Sequence, residues 1–266
     1  MSFLALAQEL QVDLDERCIR RVFSEGRGPN SIKEAYKLQR ALRSVREARG
    51  EKVIGFKVGY TSKRVRENLE GIMGLKESVH GYLWDSESYK TGTVIDHRRL
   101  AIEGELGIKL LSAESDDVSE WEVELEPIIE IHMAGMDGPK EDDLGRRGLE
   151  LIGTNCLHAG VVHSANTKRC FIGEISLDEL MTVSLAKKKI EQVTLSELKV
   201  GNMLGPVATI SWLLKTLKSE GNKEEALLRA GAFVICSTPG ALHLVPPTSE
   251  VRVEFSGLET VCTASS

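Results

Sequence analysis

No run of 18 apolar residues occurs in these 266 residues, so no segment reads as a membrane-spanning helix. There is no CxxC, and the five cysteines, Cys18, Cys156, Cys170, Cys236 and Cys262, are odd in number and irregularly spaced. That excludes a disulfide framework or a cysteine zinc site and points to a reducing cytoplasm. A long basic block is also missing and the net charge is -6, which leaves nucleic acid no electrostatic footprint. The short runs Lys187-Lys188-Lys189 and Arg146-Arg147 read as a turn and as solvated surface. The N-terminal stretch carries acids and no basic n-region, which argues against a signal peptide. Repeats, low-complexity tracts and Pro/Gly/Ser-rich linkers are absent.

What is present is enough for a core. Hydrophobic residues make up 41% of the chain, which suits one large domain or a domain with a small added lobe. Ser31 to Glu34 forms a capping box, and the following AYKLQRALRSVREAR puts Ala35, Leu38, Leu42 and Val45 on one helical face until Gly50 stops it. KVIGFKVG reads as a strand and KRVRENLEGIMG as a short helix. From about residue 80 the texture turns to strands: AIEGELGIKLL and PIIEIHM, then TVSLAKKKIEQVTL as a hairpin with its turn at the lysines. GPVATISWLLKTLKSEG is a helix with Pro206 in its first turn and Gly221 at its end. GAFVICS and EVRVEFSG close the chain as strands. The expected division is an α/β lobe over 1–79 and a β-rich metal-binding domain over 80–266.

AIEGELGIKLL carries Ile102, Gly104, Leu106, Ile108 and Leu110 on one face and Glu103, Glu105, Gly107 and Lys109 on the other. Two glutamates two apart on a strand sit roughly 7 Å apart and can converge on one ion. Hard divalent cations prefer oxygen ligands and keep open positions for water or substrate. An isolated E-x-E is common on solvated strands, and Glu122, Glu124 and Glu126 read that way. Glu130 differs: its neighbours Ile128, Ile129, Ile131 and Met133 are apolar, so the acid is costly there unless paired or bound to a cation. His132 shares its face and reads as a hydrogen-bonded neighbour more readily than as a ligand. Lys57, between Phe56 and Val58 and bracketed by Gly55 and Gly59, either points to solvent or faces the metal pocket, where it could pair with a substrate carboxylate or move a proton.

In order along the chain, AYKLQRAL, IGFKVGYTS, HGYLWD, AIEGELGIKL, PIIEIHM, Asn155 with Ala159-Gly160, and LGPVATISWLLKTL resemble segments of the 2-keto-4-pentenoate hydratase and 4-oxalocrotonate decarboxylase family, within the fumarylacetoacetate-hydrolase-like superfamily. The resemblance covers roughly residues 30 to 266. It implies an α+β fold, a mixed β-roll with a small N-terminal α/β lobe. It implies Mg²⁺ or Mn²⁺ held by Glu103, Glu105 and Glu130, with Lys57 as the pocket lysine. The implied substrate is a small 2-oxo acid from aromatic catabolism. It also implies a homo-oligomer, and a complex with a related decarboxylase or hydratase. Three departures fall in the substrate-facing half. Thr154 stands where the family has Asp, HMAGMDGPKEDDLGRR follows Glu130 without the usual pattern, and Gly231-Ala232 replaces Gly-Asp.

Three reactions share a metal-chelated 2-oxo acid and an enolate: hydration of a dienoic acid, decarboxylation, and acylpyruvate hydrolysis. No lid Glu–His pair for activating water can be placed, and His80, His158 and His163 stay unassigned. The order is therefore hydratase first, decarboxylase second and hydrolase third. A non-catalytic partner or repurposed binding protein is the rival from another class.

Overall fold

The structure is a computed structural model that describes residues 2–61, 66–67, 73–96, 100–138, 146–200, 203–221 and 223–266. Three helices come first: α1 (Phe3–Asp15), α2 (Arg21–Ser24) and α3 (Ile32–Ala48). In α3 the Ser31 hydroxyl accepts from the Glu34 amide, while the Glu34 carboxylate accepts from the Asn30 amide, one residue upstream of the expected capping box. The apolar stripe of α3 buries Leu38 and Leu42 against Leu6 and Leu10 of α1.

The chain then enters β1 (Val53–Gly59), β2 (Val79–Trp84), β3 (Ser88–Lys90), β4 (Thr93–Ile95), β5 (Leu100–Leu110) and β6 (Glu122–Met133). Helix α4 (Arg147–Gly153) leads to β7 (His158–His163), β8 (Lys168–Phe171), the hairpin β9 (Leu180–Leu185) and β10 (Lys188–Thr194), and the short pair β11 (Lys199–Val200) and β12 (Met203–Leu204). Helix α5 (Gly205–Glu220) precedes β13 (Phe233–Ile235), β14 (His243–Leu244), β15 (Glu250–Phe255) and β16 (Leu258–Ala264). The helix expected over KRVRENLEGIMG falls mostly outside the described residues.

One nine-stranded sheet runs β2-β1-β13-β5-β6-β7-β3, with β14 also on β5 and β8 also on β6. A five-stranded sheet runs β10-β9-β15-β16-β4. Strand β1 is hydrogen-bonded to both β2 and β13, and the position of the expected division, 79/80, lies within β2.

Period-two alternation decides where the core and the site lie. One face of β5 and β6, carrying Ile102, Leu106, Ile108, Leu125, Ile129 and Ile131, packs on Val183, Val251, Val253 and Phe255 of the second sheet and on Ile210 and Leu213 of α5. A Cβ at Gly104 would come within 2.6 Å of Val183 Cγ2, so this glycine lets the sheets close together. Gly55 is tighter still: its Cβ would meet the Phe233 carbonyl oxygen at 1.8 Å. The opposite face of the large sheet carries the charged groups.

Candidate metal and substrate site

Strand β5 supplies Glu103 and Glu105 and β6 supplies Glu130 and His132. Their pairing puts Glu103 directly opposite Glu130 and Ala101 opposite His132. A ligand atom from each of Glu103, Glu105, Glu130 and His132 lies within 4.8 Å of the others. From β1, Lys57 Nζ donates to Glu130 Oε1 at 2.5 Å. All four carboxylate and lysine positions singled out in the sequence therefore meet at one point.

His158 also helps set the orientation of Glu130. His158 Nδ1, at the start of β7, lies 2.7 Å from the same Oε1, and its Nε2 is 3.7 Å from Glu87 Oε2. Just before β7, Asn155, Cys156 and Leu157 take φ of 59°, 56° and 57°. Three consecutive left-handed residues other than glycine are costly for L-amino acids and need outside support. Asn155 provides it, accepting from the Tyr82 amide and donating to the Tyr82 carbonyl through its side chain. The bend brings the Cys156 carbonyl to 3.4 Å from Lys57 Nζ. Thr154, which stands where the family has Asp, donates to the Glu150 carbonyl at the end of α4.

The electrostatics follow from burial and crowding. Burial alone disfavours every charge here. For Glu105 burial prevails, reinforced by repulsion from Glu130 and Glu103, and its carboxyl is held well above the usual carboxylate range. For Glu130 the Lys57 ammonium and His132 outweigh burial and hold it well below that range. Glu103 is lowered too, because His132 and Lys57 overcome its burial. Burial and Lys57 pull the His132 imidazole down, but Glu130 and Glu103 raise it overall. Burial also opposes the Lys57 ammonium, yet Glu130 and Glu105 raise its pKa.

Glu105 Oε2 and Glu130 Oε2 are buried without a hydrogen-bond partner. Unsatisfied buried carboxylate oxygens are expensive. Three converging carboxylates with two orphaned oxygens form a donor set that fits a hard divalent cation with positions left open.

Lys57, Glu103, Glu105 and His132 open onto a cavity of about 510 Å³, with Glu130 directly behind them. Its remaining wall is largely apolar, including Met73, Val79, Met136, Leu151, Leu157 and Leu242, and it also carries Thr61, Ser237, Thr238 and Arg147. The two other histidines left unassigned lie elsewhere. His80 Nε2 is 3.1 Å from Glu220 Oε1, and His163 Nδ1 is 3.0 Å from Glu126 Oε1. Glu126 is thereby a correction to the exposed acidic stretch expected of residues 122, 124 and 126: it is buried, although Glu122 and Glu124 are partly exposed. Arg147 is likewise half-buried rather than solvated surface. The role of His158 had no local signal, because its contact to Glu130 exists only through the pairing of β6 with β7.

No family model matches the chain. Its architecture is that of the fumarylacetoacetate-hydrolase-like fold: fumarylacetoacetate hydrolase from Exiguobacterium antarcticum superposes with a TM-score of 0.54 at 12% identity, over 80% of this chain and 75% of that one. Within that fold, 4-oxalocrotonate decarboxylase from Pseudomonas putida G7, complexed with magnesium and adipate, superposes with a TM-score of 0.79 at 20% identity, over 98% of this chain and 97% of that one. In sequence, the chain is 26% identical to 4-oxalocrotonate decarboxylase of Pseudomonas sp. (strain CF600), over 97% of this chain and 94% of that one. It is 32% identical to 2-hydroxyhexa-2,4-dienoate hydratase of Comamonas testosteroni over 85 residues, 30% of this chain and 31% of that one. The chain is a divergent relative of these decarboxylases along its length, and its likeness to the hydratase spans 85 residues. Among the described residues no helix is long and apolar enough to cross a membrane.

Proposed function

We propose that this protein is a divalent-metal-dependent lyase acting on a small 2-oxo acid, with Glu103, Glu105 and Glu130 as metal ligands and Lys57 as the acid–base group. The single observation behind this is the meeting of three carboxylates, two of them buried with orphaned oxygens, at the wall of a cavity that Lys57 also lines. Magnesium in the decarboxylase relative supports Mg²⁺, with Mn²⁺ as the other candidate. A cation held there would supply Lewis acidity toward the keto and carboxylate oxygens of the 2-oxo acid.

Decarboxylation is the first reading, ahead of the hydration ranked first from sequence, because the relative that matches end to end is a decarboxylase. In that reaction the bond to the departing carboxylate breaks. Its electron pair moves through the conjugated chain to the keto oxygen, carbon dioxide leaves, and a proton is taken up. In this reading Lys57 balances the charge that develops and delivers or holds that proton at Nζ. Its contact with Glu130 and the Cys156 carbonyl fixes where the ammonium points. The apolar wall excludes water from the substrate chain. Hydration of a dienoic acid is the second reading, carried by the partial match to the hydratase.

The test is turnover of 4-oxalocrotonate with Mg²⁺ or Mn²⁺, following carbon dioxide. Release that stops on chelation and returns with metal is the expected result. Metal-dependent hydration of 2-hydroxyhexa-2,4-dienoate without carbon dioxide release would replace the first reading by the second. Metal binding with neither reaction would leave the binding-protein alternative standing.

A further inference from the structure

His132 lies on the same face of β6 as Glu130. Its direct partner across the β5–β6 ladder is Ala101, so Glu103 is its diagonal neighbour on that face. The residue is 7% exposed. Its Nε2 is 2.8 Å from Glu103 Oε2 and 3.4 Å from Glu130 Oε2. Neither contact is aligned as a hydrogen bond, and Nε2 is buried without a hydrogen-bond partner. A buried ring nitrogen left this way is expensive, and Glu130 Oε2, which it faces, is in the same condition. A cation shared by the two satisfies both.

The spacing of the atoms fits that cation. In an octahedral site with bonds of about 2.1 Å, neighbouring ligand atoms stand about 3 Å apart. The contacts of His132 Nε2 to the two carboxylate oxygens, 2.8 and 3.4 Å, bracket that value. One atom from each of Glu103, Glu105, Glu130 and His132 lies within 4.8 Å of all the others. This is the arrangement of ligands around one ion, not of a histidine hydrogen-bonded to a single acid.

We infer that His132 is a fourth protein ligand, binding through Nε2 to make a site of three carboxylates and one imidazole. It takes this role only if the three carboxylates hold the ion as proposed above. Imidazole suits first-row transition ions better than magnesium, which keeps oxygen ligands and water. A nitrogen in this place therefore tilts the site from Mg²⁺ toward Mn²⁺ and the ions that follow it in the row. Four protein atoms in an octahedron leave two positions, as many as the keto and carboxylate oxygens of a 2-oxo acid fill.

Electron spin echo envelope modulation of the native protein loaded with Mn²⁺ tests the ligand directly and needs no variant. A directly bound nitrogen should appear, its frequencies should change when histidine is labelled with ¹⁵N, and the coupling should vanish in His132→Gln. Titration calorimetry of both proteins with Mg²⁺, Mn²⁺ and Co²⁺ gives the selectivity. Affinity rises from Mn²⁺ to Co²⁺ at sites of this kind in general, so the diagnostic quantity is the change between the two proteins. His132→Gln should lose about 100-fold for Co²⁺, about 10-fold for Mn²⁺ and no more than about threefold for Mg²⁺. A histidine that only orients Glu103 gives equal losses for all three ions. Equal losses, no bound nitrogen in the native Mn²⁺ complex, or a nitrogen that persists in His132→Gln would overturn the role of His132 alone. Native protein that binds none of the three ions would overturn the carboxylate site as well.

Discussion

Glu126 and Glu130 sit four residues apart on the same face of β6, and both are buried, with 6% and 0% exposure. Each meets a histidine of β7. At Glu126 both oxygens are used: Oε1 lies 3.0 Å from His163 Nδ1 and Oε2 accepts from the Ser164 amide at 2.6 Å. At Glu130 the load is uneven, since Lys57 and His158 both approach Oε1 while Oε2 makes no hydrogen bond and has only His132 Nε2 at 3.4 Å. Ile128 lies between the two acids, in an apolar cluster with Leu83, Val161, Phe233 and Ile235. Burial of an acid therefore does not mark a functional site. What separates the two is whether the neighbours consume its lone pairs or leave them aimed at other carboxylates.

The same isosteric change at both positions gives the sharpest contrast. Glu130→Gln should weaken Mg²⁺ or Mn²⁺ binding by more than about 100-fold, beyond the range for loss of an outer partner, with turnover falling alongside. Isothermal titration of the metal checks this, and native-like affinity in the variant would end the distinction between the two acids. Lys57→Ala should cost about 10²-fold or more in turnover, the scale of a positioned acid–base group, while metal affinity changes little. Lys57→Arg should not restore the rate, because arginine cannot give up its proton; a rate within a few-fold of native in Lys57→Ala would remove that residue from the chemistry. His158→Ala should come next, at about 10- to 100-fold in metal affinity, because it loosens Glu130 without removing a ligand. A thermal melt beside each titration separates these losses from misfolding.

The strands that carry the site were legible because their information is local. Alternation in AIEGELGIKLL put Glu103 and Glu105 on the face away from the core, and the apolar neighbours of Glu130 showed an acid that needed a partner. Glycines on either side of Lys57 marked a strand in close quarters, and Gly55 does lie against the Phe233 backbone. Glu126 was misread because it continues the alternation of Glu122 and Glu124. Those two pair with the edge strand β8, opposite Phe171 and Arg169, whereas Glu126 lies past the end of that pairing and faces the end of β7. His158 and Arg147 were not legible. One depends on a register set 28 residues away, the other on a cavity assembled from several elements, and neither leaves a pattern in nearby residues.

The smallest effect belongs to Glu126 and completes the comparison. In Glu126→Gln the side chain keeps one oxygen, which can still accept from His163. Its amide group then faces the Ser164 N–H, donor against donor, and one buried amide loses its acceptor. That should cost about 1–3 kcal/mol of stability, the penalty of a single buried unsatisfied group, measured as a lower urea midpoint at unchanged slope. Metal affinity and turnover should stay within a few-fold of native, because no proposed ligand is touched and Ile128 with its apolar neighbours lies between. Should Glu126→Gln instead abolish metal binding while leaving stability intact, both glutamates would belong to one extended site, and lone-pair use would no longer tell them apart. A stability loss with intact binding would assign Glu126 and His163 to holding β6 against β7, and leave Glu103, Glu105 and Glu130 as the described acids of this sheet face tied to the cation.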